Sequence, residues 1–111
     1  MYINDDVWIS KHRLMELKHF CLQYPDWKKK LRILVNGVEV DRLDPTGELA
    51  TAITSYQKNI NLVEQVCKET DRKRSRDILK AVTRGLKFET LEIPLDRYYT
   101  FYSLLHSKKG I

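Results

Sequence analysis

Three histidines, two cysteines and a dense set of arginines and lysines are the residues of this 111-residue chain whose chemistry is most readily put to use. The first two groups lack the partners that catalysis requires. His12 and His19 lie seven residues apart, two turns along one helix, and His106 is remote in sequence. A pairing of Cys21 with His19, or of Cys67 with His106, has no orienting third group and no metal-ligand spacing. Cys21 and Cys67 form neither a disulfide framework nor a C-x-x-C pair, and both fall at apolar positions of helical patterns, so they read as small buried hydrophobes. With only four glycines in the chain, no G-x-G-x-x-G or Walker-type phosphate loop occurs. These features predict a protein that is not an enzyme and that uses neither a metal nor a cofactor.

The basic residues carry more information. Lysine and arginine total 20 against 15 aspartates and glutamates, for a net charge of +5. Residues 1–70 hold 10 basic and 10 acidic side chains, whereas residues 71–111 hold 10 and 5. The whole excess therefore sits in the last 41 residues, which points to a polyanion or acidic partner there. Arg72, Lys73, Arg74 and Arg76 form the densest run. Lys80, Arg84 and Lys87 are placed to flank a groove, Arg97 and Tyr98 to meet base edges or phosphates, and Lys108 and Lys109 to neutralise phosphates at the far end. The plain alternative for these charges is a set of solvated helix faces. For Tyr98, Tyr99, Phe101 and Tyr102 it is packing in the core or at a dimer interface.

The elements that must position these residues read as mainly α. Leu14, Leu17, Cys21 and Tyr24 recur at helical spacing behind Ser10, a good N-cap, and Pro25 breaks the helix near Tyr24. Trp27, Leu31 and Leu34 then share a face. Asn36-Gly37 between β-branched runs signals a short β-hairpin over 33–40, with an irregular loop as the alternative. Leu49, Ile53, Tyr56, Ile60, Val63 and Cys67 form a seam at four-three spacing along a helix over 48–70. That seam packs either on the Ser10–Tyr24 helix, as an antiparallel helical hairpin, or against a second copy in a homodimer. Further on, Ser75 is placed to cap a helix carrying Ile78, Leu79 and Val82, and Gly85 to stop it; a short helical stretch reaches Leu91, Ile93-Pro94 forms a turn, and a last helix begins at Leu95. The expectation is one domain over 1–111, in which a neutral helical platform, 1–70, carries a basic helix-turn-helix-like unit, 71–111.

The run Ile78-Leu79-Lys80-Ala81-Val82-Thr83-Arg84-Gly85-Leu86-Lys87-Phe88-Glu89-Thr90-Leu91, followed by Ile93-Pro94 and an aromatic helix ending Leu104-Leu105-His106-Ser107-Lys108-Lys109, resembles small phage-encoded regulators related to the RinA and ArpU late-gene activators. The blocks Phe20-Cys21-Leu22-Gln23-Tyr24-Pro25-Asp26-Trp27-Lys28-Lys29 and Asp44-Pro45-Thr46-Gly47 also look similar to such phage proteins. The resemblance implies a sigma-like helix-turn-helix acting on phage transcription. In this chain only Glu92 separates Leu91 from Ile93, and Arg97 is the one arginine after Pro94.

Two functions follow as expectations. One is a sequence-specific transcription regulator bound to double-stranded DNA, working beside host RNA polymerase or another host protein in the host cytoplasm. The other is a small phage inhibitor, of the anti-defence or anti-CRISPR kind, that docks on a host protein or ribonucleoprotein. No apolar run approaches the roughly 18 residues of a membrane span, and residues 1–6 lack the basic and apolar regions of a signal peptide, so no membrane partner is expected.

Overall fold

The computed structural model of the chain describes residues 2–4, 7–36 and 47–109. Two short strands, β1 (Tyr2–Asn4) and β2 (Val7–Trp8), pair antiparallel with Tyr2 opposite Trp8. Helices α1 (Lys11–Leu22), α2 (Tyr24–Asn36), α3 (Gly47–Thr70), α4 (Ser75–Arg84) and α5 (Leu95–Lys108) follow, with one 3-10 turn at Phe88–Leu91. The protein is mainly α, as the periodicity predicts. The small strand pair, of which β1 lies beside α5, has no counterpart in the sequence reading.

Local chemistry fixes most of the boundaries. Ser10 caps α1, its hydroxyl accepting from the Arg13 N–H at 3.1 Å. The break falls at Gln23 and α2 restarts at Tyr24, which leaves Pro25 in the first turn, where its missing N–H costs nothing. Gly85 ends α4 with φ of 69°, a left-handed conformation that glycine adopts without strain. Ser75 is the first residue of α4 rather than its cap. The cap position is Arg74, which makes no side-chain capping bond; just before it, the Asp71 carboxylate closes the turn into α4 by accepting from the N–H groups of Lys73 and Arg74 at 3.1 and 3.3 Å.

Two expectations are corrected. Ile33–Asn36 form the last turn of α2, so no strand runs through them; Gly37–Val40, the other half of the expected hairpin, lie outside the described residues. The second concerns pairing. The main partner of α3 is α2, with α5 and α4 beside it, whereas α1 packs chiefly against α4, α5 and α2. Tyr24 and Lys28 meet Glu64, while Lys30 lies over the ring of Tyr56. Moving forward along α2 therefore moves backward along α3, so the two are antiparallel.

The seam residues Ile60, Val63 and Cys67 are buried inside one chain, with Leu17 and Cys21 of α1, Ile78 and Val82 of α4, and Phe101 and Leu105 of α5. Each such side chain contributes about 1.5–3 kcal/mol through loss of apolar surface to water. Among the described side chains of α3, full burial begins at Ile60. The earlier part of this roughly 36 Å helix runs beside α2 as an arm, and the molecule extends 52 × 29 × 21 Å.

Candidate nucleic-acid interface

The buried face of α4 carries Ile78, Ala81 and Val82. A residue four positions along a helix lies one turn on, about 6 Å away and displaced only slightly around the axis. Arg76, Lys80 and Arg84 obey that spacing and fall on the side opposite the buried one, where all three are exposed. Arg72 and Lys73 precede the row and Lys87 follows it, also exposed. Among the described residues, none of these six forms an ion pair. The result is a row of exposed cations about 6 Å apart along one side of α4.

The remaining five sequence candidates are differently placed. Arg74 closes the helix-turn-helix-like unit upon itself. Its Nη2 donates to the carbonyl oxygens of Leu91 and Glu92 at 2.8 and 2.9 Å, and its Nε to Asp77 at 3.2 Å. Those carbonyls end the 3-10 turn, where Glu92 holds a positive φ of 57°. Arg97 at the start of α5 has its Nε on Asp71 at 3.0 Å and its Nη1 on Asp96 at 2.9 Å. The hydrogen bond from Arg97 holds the Asp71 carboxyl below its usual range, assisted by the two backbone N–H groups. Tyr98 is half-buried, edge-on to Phe88, Tyr99 and Tyr102, with the Lys18 ammonium 5.3 Å from its ring centre. Lys108 pairs with Glu69 at 3.1 Å. The Lys109 ammonium lies 3.6 Å from the Phe20 ring centre, and burial, then the nearby Arg13, lowers its pKa.

The last helix is accordingly a core helix. Phe101, Tyr102 and Leu105 are buried, and its exposed positions are Leu95, Asp96, Thr100, Ser107 and Lys108. A helix that reads base edges needs long donors on its open side; on α5 the long donors are engaged within the chain. Among residues 71–109, the exposed cations without an ion pair lie on α4 and its two flanks, and a second exposed basic group, Lys28, Lys29, Lys30 and Arg32, lies on α2.

Sequence reasoning missed Asp71 and the clamp made by Arg74. The Asp71-x-x-Arg74-x-x-Asp77 spacing is the signal that would have found the local pairs, since residues three apart around a turn or helix meet. The bonds from Arg74 to Leu91 and Glu92 had no such signal, because they depend on how the 3-10 turn folds back. His12 and His19 are exposed on α1, while His106 accepts at Nδ1 from Arg13 Nε at 3.1 Å and joins α5 to α1. Among the described residues no cluster of three or more histidine, cysteine or acidic side chains could hold a metal, and no helix is long and apolar enough to cross a membrane. No family model, curated protein sequence or solved structure matches the chain.

Proposed function

We propose that this protein binds double-stranded DNA as a phage transcription regulator, with the exposed face of α4 laid against the phosphate backbone. The observation that carries the reading is the row Arg76, Lys80 and Arg84, extended by Arg72, Lys73 and Lys87 and unpaired among the described residues. The resemblance of residues 78–109 to phage regulators supports a transcriptional role. Phosphate contacts give affinity and orientation without reading sequence, so base discrimination falls to Arg97 once a competing phosphate or base releases it from Asp71 and Asp96. A second reading keeps the same face but docks it on an acidic surface of a host protein such as RNA polymerase; the engagement of Arg97 and Tyr98 within the chain favours it.

Fluorescence anisotropy with a labelled duplex at low salt separates the two. The wild-type protein should bind, Arg97→Ala should retain binding to unrelated sequences, and the triple change of Arg76, Lys80 and Arg84 to alanine should lose most of it. Absence of wild-type binding at low salt would remove the DNA reading and leave the protein-docking one.

A further inference from the structure

Beneath the last turn of α4 lies a cavity of about 190 Å³. It is walled by Leu22, Leu86, Phe88 and Tyr98, and Lys18 and Lys87 are the charged residues of its lining. Among the described residues no carboxylate lines it. Leu22 and Leu86 remain 44% and 37% exposed at this site.

The size selects the occupant. Pockets for drug-sized ligands begin at roughly 300 Å³, whereas an apolar cavity of about 150 Å³ holds one benzene ring. The space therefore takes a single flat ring system. Its charge selects further, because two ammonium groups beside an apolar and aromatic wall suit a ring that is attached to an anion. Position completes the choice. Ala81 and Gly85 line the cavity and each directly follows a cation of the exposed row, Lys80 and Arg84, about 100° further round the helix. Lys87, the cation that follows Arg84 in the row, itself lines the cavity, so a strand whose phosphates track Arg76, Lys80 and Arg84 and goes on to Lys87 meets it.

We infer that this cavity receives one unpaired nucleobase from the strand held along α4, with Lys87 and Lys18 on the adjoining phosphate. The inference rests on the DNA-binding reading and narrows its substrate to a duplex that carries an unpaired or extruded base. Stacking of a base on an aromatic side chain adds to affinity irrespective of sequence, so such a duplex should bind about tenfold more tightly than a fully paired one.

The test uses two duplexes with the same phosphate count, one fully paired and one with a fluorescent purine analogue at a single unpaired position. Wild-type protein should bind the second about tenfold more tightly and change the emission of the analogue. Leu22→Trp, which fills the opening, should abolish both the preference and the emission change while leaving affinity for the paired duplex intact. Lys87→Ala, at an exposed position, should reduce the preference without loss of fold. Equal affinity for the two duplexes with unchanged emission overturns the inference while the DNA-binding reading stands. Failure of both duplexes to bind overturns both. Capture of a peptide carrying an aromatic residue between acidic ones, blocked by Leu22→Trp and with no base preference, would assign the cavity to a protein side chain and also overturn it.

Discussion

Arg74 shows how a residue that reads as a phosphate binder becomes a structural tie. A guanidinium offers five donors in a rigid fork, and here three bonds go to Leu91, Glu92 and Asp77. Arg74→Met keeps the apolar stem and removes the fork, leaving two carbonyls at the end of the 3-10 turn without their donor. It should lower stability by about 1–2 kcal/mol, seen as a lower urea midpoint with an unchanged slope. The cysteines behave as their pattern predicts. Cys21 and Cys67 are buried, and burial pushes the Cys21 thiol up to about 12, with Lys109 opposing weakly. Burial also raises Cys67. Since the thiolate is the reactive form, a thiol reagent at neutral pH should label neither cysteine in the folded protein and both after denaturation. Rapid labelling of the native protein would contradict their place in the core.

At the scale of elements, the C-terminal half of the α3 seam, Ile60, Val63 and Cys67, is buried against helices of the same chain. Ile60 is 3% exposed, and an aspartate there would place an unpaired carboxylate among apolar side chains. Ile60→Asp should cost about 4 kcal/mol or more, a large part of a typical domain's stability, and circular dichroism should show loss of the cooperative helical transition. A folded protein altered only in its mass by sedimentation would instead place the seam between copies. Most helix ends were legible in the sequence because they rest on local chemistry, such as the Ser10 hydroxyl, the glycine at 85 and the Ile93-Pro94 turn. Pairing was less legible. The four-three seam says that α3 buries one side, and many partners satisfy that requirement. The expected strand from Ile33 failed for a related reason. Trp27, Leu31 and Leu34 already define a helical face, and continuation of that face outweighs the β preference of Ile33 and Val35. The candidate site was legible only in part, since the sequence located the basic region while ion pairing decided which cations remain available.

At the scale of the whole molecule, the charge divides twice. The sequence assigns the entire +5 to the last 41 residues. Folding then engages four of the ten basic residues there, with Arg74, Arg97 and Lys108 in ion pairs and Lys109 against Phe20. The other six remain along α4 and its flanks, while the acidic Asp71, Asp77 and Asp96 are used up against Arg97 and Arg74. What results is a helical body that carries, along α4 and its flanks, a row of cations without ion-pair partners among the described residues, the feature on which the proposed DNA contact rests. The salt dependence of duplex binding tests this most directly, because the logarithm of affinity falls against the logarithm of salt by about 0.9 for each phosphate neutralised. A steep slope is expected for the wild-type protein, and a slope shallower by about 2.7 when Arg76, Lys80 and Arg84 are replaced by alanine, three phosphates at that value each. A slope unchanged by the triple replacement, in a protein that still folds, would contradict it.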